Sequence, residues 1–92
     1  MRDEALEIDD HVLDKIESRH GVPFAEIEEA CFSNARHVRK GCGGLYKVFS
    51  RTEAGRYLLV VLADRGESVW MVATARTMTE QKRRLYRRET GA

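Results

Sequence analysis

Cysteine is scarce in this chain, and long apolar runs are absent. The two cysteines, Cys31 and Cys42, form no Cys-x-x-Cys pair, and the three histidines stand at no zinc-ligand spacing. Neither a disulfide framework nor a structural zinc site is expected, and a reducing compartment, the cytoplasm, fits. The longest apolar run covers residues 57–63, far short of the roughly 20 residues that span a bilayer. The opening Met-Arg-Asp-Glu-Ala-Leu carries no apolar core of a secretory signal. No repeat, low-complexity tract, nucleophile elbow, paired-carboxylate motif or His-Glu-x-x-His occurs. Gly41-Cys-Gly-Gly44 lacks the lysine and the spacing of a phosphate-binding P-loop. No metal, cofactor or membrane partner is expected.

What is present is charge, unevenly distributed. The 92 residues suit one domain, 1–92, with 42% apolar residues for a core and 34% charged residues for the surface. The formal net charge is only +1. Residues 1–34, however, hold three basic and ten acidic side chains, a net of −7. Residues 35–92 hold thirteen basic and five acidic, a net of +8. Two readings stand: the halves pair across the fold, or the domain presents a cationic end to a phosphate backbone or an acidic protein.

Local patterns outline the elements. A short strand is read at residues 5–8, then a helix capped by Asp9 or Asp10 that runs to His20 and stops at Gly21. Pro23 suits the first turn of a second helix ending near Phe32, with Phe24, Ile27 and Cys31 inward and Glu26, Glu28 and Glu29 outward. Residues 36–39 start an extended segment, and residues 41–44 make a turn. Strands follow at residues 45–52, 57–63 and 68–76, with turns at 53–55 and 64–67. The continuous apolar run at 57–63 suits a central strand buried on both faces. A last helix, capped by Thr77 or Thr79, turns Met78 and Leu85 inward. The expected class is α+β: a small antiparallel sheet with two N-terminal helices and one C-terminal helix, in the order β-α-α-β-β-β-α.

Candidate site residues come from the basic part. Arg76 ends the last strand, on the same face as Trp70 by simple alternation. There it either grips a phosphate or bridges to the acidic helices. Lys47 and Arg51 share a strand face by period two and, with Arg56, either form a cationic patch or guard a strand edge. Arg83 with Arg87, and Arg84 with Arg88, form same-sign ladders on the last helix. Such ladders repel by a few tenths of a kcal/mol per pair, and either await an anionic partner or form a basic solvated face. His20 either meets the dipole at the end of its helix or serves as a base. Tyr86 either handles a proton in a basic pocket or packs its ring on the sheet.

Several of these pieces occur in one order. His20-Gly-Val-Pro-Phe24 precedes the acidic Glu26-Ile-Glu-Glu-Ala30. Thr52-Glu-Ala-Gly-Arg-Tyr-Leu-Leu-Val-Val61 follows a strand, and Thr74-Ala-Arg-Thr-Met-Thr79 leads to Arg83-Arg-Leu-Tyr-Arg-Arg88. Over about residues 5 to 88 the chain resembles the BrnT family of small toxins, within the RelE-like group of type II toxin–antitoxin systems. The resemblance implies a RelE-like α+β fold, metal-independent endoribonuclease activity through attack of the 2′-hydroxyl, and neutralisation by a cognate antitoxin. It implies site roles for His20, Arg56, Arg76 and Tyr86; Lys47 and Arg51 come from the charge pattern instead. The chain departs from the family at Ile8-Asp9-Asp10, where many members have an aromatic-acidic pair. It departs again at Leu45-Tyr46, near where many carry an arginine. The expected function is thus an RNA-cleaving toxin with Arg76, Tyr86, His20 and Lys47 in the chemistry and Arg51, Arg56, Arg83, Arg84 and Arg87 on RNA. The alternative is a non-catalytic RNA- or protein-binding module of the same fold.

Overall fold

A five-stranded mixed sheet divides the protein into two apolar layers. In the computed structural model, which describes residues 5–91, the order is β1 (Ala5–Glu7), α1 (Asp10–His20), α2 (Phe24–Phe32), β2 (His37–Lys40), β3 (Leu45–Arg51), β4 (Tyr57–Asp64), β5 (Val69–Thr77) and α3 (Glu80–Thr90). Residues 1–4 and 92 of the expected domain lie outside the described residues. The sheet order is β1-β5-β4-β3-β2. β4 is therefore central, as its unbroken apolar run predicts.

Two features differ from the expected order. β2 adds a fourth strand after the helices, antiparallel to β3 from His37 opposite Phe49 to Lys40 opposite Tyr46. Its sequence, His-Val-Arg-Lys, is too short and too charged to alternate visibly; backbone pairing with β3 makes it a strand, and its charges suit an edge. β1 pairs with β5 in parallel, so the sheet is mixed rather than antiparallel throughout. The intervening chain returns β5 alongside β1, a long-range pairing that no local pattern encodes.

The helices start and stop for local reasons. Asp9 occupies the cap position of α1, but its side chain makes no capping bond. Gly21 ends α1 at φ 63°, a conformation glycine adopts without a Cβ clash, and its N–H donates to Glu17 O. Pro23 stands just before α2 rather than in its first turn. For α3 the cap is Thr79, whose Oγ1 accepts from Lys82 N at 3.2 Å.

One core joins α1 and α2 to the sheet through Ile16, Val22, Ile27, Ala30, Cys31, Val48, Leu58, Val60, Leu62, Val72 and Ala75. The other joins α3 through Phe49, Leu59, Met78 and Tyr86, with Tyr57 against it. Alternation in β4 builds both layers from one strand: Leu58, Val60 and Leu62 face one way, Tyr57 and Leu59 the other. Each fully buried Leu or Ile contributes about 1.5–3 kcal/mol. The inward anchor of α3 is Tyr86, fully buried, rather than Leu85, which is half-buried.

A bulge then decides which way Arg76 points. Val61 pairs with Thr74 and Leu62 with Val72, leaving Ala73 as the extra residue of β5. One extra residue inverts the alternation beyond it. Trp70 packs with the α1–α2 core, edge-to-face on Tyr46 at 5.2 Å. Arg76 lies opposite Leu59, on the α3 side. The expected common face of Trp70 and Arg76 is thereby corrected.

Candidate nucleic-acid interface

The α3 side of the sheet collects cations by register. In one cross-strand row Arg76 stands opposite Leu59, Leu59 opposite Phe49, and Phe49 opposite His37. In the next, Thr74, Val61, Lys47 and Arg39 follow one another. Lys47 and Arg76 are both exposed on this face. They lie two strands and two residues apart, which separates their Cα atoms by about 12 Å at ordinary sheet spacings. The ammonium of Lys82 on α3 lies 6.0 Å from the centre of the Phe49 ring, in the first of those rows.

A denser cluster forms where β3, β4 and α3 meet. Arg51 and Tyr57 face each other across the β3–β4 ladder. Arg83 and Arg87, one turn apart on α3, reach the same ring. The guanidinium carbons of Arg51, Arg83 and Arg87 lie 5.4, 5.1 and 5.5 Å from the Tyr57 ring centre, within cation–π range. A hydrogen bond from Arg87, with the positive charges of Arg51 and Arg83, holds the Tyr57 phenol below its ordinary value. None of these arginines is in an ion pair: among the described residues the one ion pair is Arg56–Glu26, while Glu29 and Glu53 line a cavity with Arg51 and Tyr86 at the edge of the cluster. The Nε of Arg83 is buried without a hydrogen-bond partner.

Tyr86 has the opposite environment. Its hydroxyl donates to Ala35 O at 2.6 Å, tying α3 to the segment before β2. Burial pushes this phenol up, with the neighbouring Tyr57 adding to the shift. The ring packs in the α3 core and the hydroxyl is spent on a backbone carbonyl.

Arg56 and His20 lie elsewhere. The Arg56 Nη1 pairs with Glu26 Oε1 at 2.9 Å, and its Nη2 donates to His20 O at 3.2 Å. The residue thus clasps the end of α1 and the first turn of α2 to the β3–β4 turn. The exposed His20 belongs to the α1–α2 side, away from Arg76. Arg84 is exposed on the outer surface of α3, where it lines a shallow groove with Gln81, Lys82, Leu85 and Arg88. The structure therefore gathers Lys47, Arg51, Arg76, Arg83 and Arg87 on the α3 side of the sheet. It leaves Arg56 and His20 outside that surface, and Tyr86 inside its floor.

Tyr57 is the residue that sequence reasoning missed. The usable signal was hairpin register: a turn at 53–55 sets Tyr57 opposite Arg51. Helical spacing placed Arg83 with Arg87 but could not say which strand residue lay beneath them. Among the described residues, no three His, Cys, Asp or Glu side chains come together as metal ligands would. None of the described helices is long and apolar enough to cross a membrane.

No protein-family model and no curated protein matches this sequence. The fold has a counterpart among solved structures, the crystal structure of the Brucella abortus ribonuclease toxin BrnT. The two superpose with a TM-score of 0.70 at 14% identity, over 84% of this chain and 99% of the other. By its strand order, its two helical layers and this superposition, the chain has a BrnT-like α+β fold.

Proposed function

We propose that this protein is the toxin of a toxin–antitoxin pair, a metal-independent endoribonuclease that acts on RNA in the cytoplasm and is held in check by a protein antitoxin. The observation that carries the reading is a cationic surface without ion pairs among the described residues, on a fold whose solved counterpart is a ribonuclease toxin. Arg51, Arg76, Arg83, Arg87 and Lys47 lie on one side of the sheet, and helices α1 and α2 pack on the other. Guanidinium groups bind phosphodiesters bidentately. They also stabilise the extra negative charge of pentacoordinate phosphorus, an effect typically worth 10²–10³ in rate per donor.

In this reading the ribose 2′-oxygen attacks the adjacent phosphorus and the bond to the 5′-oxygen breaks. Arg51, Arg83 and Arg87 neutralise the developing charge. Arg76 and Lys47 hold neighbouring phosphates on the open part of the sheet. An antitoxin would silence the protein by laying acidic side chains over the same surface.

The test combines induction in cells with cleavage in vitro. Wild type is expected to arrest growth and to cut RNA in the presence of a chelator, and Arg51→Ala and Arg83→Ala to lose both effects. Intact RNA and unimpaired growth with wild type would sink the toxin reading. A second reading, an RNA-binding module without cleavage, draws support from Tyr86 and His20: neither presents a proton-transferring group to the cationic surface. Tight, salt-sensitive binding with full recovery of the RNA would establish it.

A further inference from the structure

We propose that Tyr57 is the proton acceptor of the cleavage reaction, taking the 2′-hydroxyl proton while Arg51, Arg83 and Arg87 hold the scissile phosphate. This rests on the ribonuclease reading and adds to it a residue and a reaction centre.

Geometry carries the assignment. Three guanidinium groups from two elements converge on one phenol. Cation–π contact with one ring holds the three together, at the cost of like-charge repulsion. Arg83 and Arg87 repel each other at a spacing of four residues, and one buried Nε has no partner. A phosphodiester entering among them accepts from the guanidinium N–H groups that reach the surface and removes the repulsion. The ring of Tyr57 is already enclosed by guanidinium groups and by the edge of Tyr86 at 5.9 Å. It is no free platform for a base, and its hydroxyl is the part left for chemistry.

The other proton carriers are elsewhere. Tyr86 is buried and bonded to Ala35 O. His20 sits at the end of α1, on the far layer. The charged and titratable groups facing Tyr57 are Arg51 from β3 and Arg83, Arg87 and Tyr86 from α3. The segment after β5 contributes only the Met78 N–H, donated to Tyr57 O at 3.0 Å. Every cation in that set favours the ionised phenol, the form a base requires.

The step balances simply. The Tyr57 phenolate takes the proton of the 2′-hydroxyl. The 2′-oxygen bonds to phosphorus, and the bond from phosphorus to the 5′-oxygen breaks. Water protonates the leaving 5′-oxygen, and Tyr57 returns its proton to solvent. The products are a 2′,3′-cyclic phosphate and a 5′-hydroxyl.

The experiment is single-turnover cleavage of a short RNA by the full chain across pH, with RNA binding measured in parallel. Tyr57→Phe keeps the ring and should bind RNA as wild type does, while cutting it about 10²-fold or more slowly, the usual weight of a positioned base. Tyr46→Phe, which alters a phenol packed on Trp70 on the other side of the sheet, should cut normally. Arg87→Met withdraws a cation from both the phosphate and the phenol, so cleavage should slow, and the rise with pH of the rate that remains in single turnover should move to higher pH. A structural role for Tyr57 would not shift that profile, and the readout does not depend on Tyr57→Phe folding. Wild-type cleavage by Tyr57→Phe, or an unmoved profile in Arg87→Met, overturns the assignment and leaves the ribonuclease reading intact. Intact RNA with wild type overturns both.

Discussion

Tyr57 and Tyr86 meet edge to face with ring centres 5.9 Å apart, yet their hydroxyls occupy opposite environments. Arg87, Arg51 and Arg83 favour ionisation of Tyr57, whereas burial opposes it in Tyr86. Ultraviolet titration should resolve one phenol ionising below the ordinary value of about 10 and one above it. Tyr57→Phe should delete the early step. The signs for stability differ as well. The folded protein releases the Tyr57 proton before the unfolded chain does, so this group adds stability above its unfolded value and loses it as pH falls through its folded value. Tyr86 holds its proton longer when folded, so its contribution falls as pH rises past about 10. A single ordinary phenol step for both residues would refute the two environments.

Tyr86 should matter to stability more than to chemistry. Tyr86→Phe removes the bond to Ala35 O and should cost about 0.5–1.5 kcal/mol in urea unfolding. Tyr86→Ala also empties the second core and should cost about 3–5 kcal/mol. Equal losses in the two variants would mean that the ring, fully buried against Phe49 and Leu59, contributes nothing.

The two thiols should separate cleanly. Burial pushes the Cys31 thiol up to about 12, and Cys42 is exposed. A thiol reagent at neutral pH should label Cys42 promptly and Cys31 only after denaturant is added, because the thiolate is the reactive form. Prompt labelling of both would mean that the α2 layer opens readily.

Arg56 and Arg76 should respond in opposite ways. Arg56→Ala breaks a half-exposed pair with Glu26 and a bond to His20 O. It should lower stability by roughly 1 kcal/mol or less, with little change in RNA affinity. Arg76→Ala should leave stability unchanged and weaken RNA binding. It should also flatten the log–log salt dependence by about 0.7, the slope of one lost phosphate contact on a single strand. An unchanged salt slope would remove Arg76 from the interface.

The helices and the three long strands were legible because their signals are local. Apolar spacing marked α1 and α2, the turns around Gly55 and Gly66 marked β3 to β5, and an unbroken run marked β4 as the centre. Charge composition already separated an acidic first third from a basic remainder. From sequence alone β2 reads only as an extended segment starting at residues 36–39 and not as a strand, because four residues rich in charge have no periodicity to read. The parallel pairing of β1 escaped because it joins segments more than sixty residues apart.

Tertiary structure decided the site. The strand content of residues 69–77 could be read from their composition, but the orientation of Arg76 depends on Ala73 having no partner in β4. A bulge is a property of two strands in register, and one strand alone does not carry it. Likewise, helix spacing aligned Arg83 with Arg87, but only the docking of α3 across the sheet set both over Tyr57. Periodicity reports which residues of one element lie side by side. It cannot report which residues of another element they meet, and here that meeting turns scattered arginines into a cluster around a phenol.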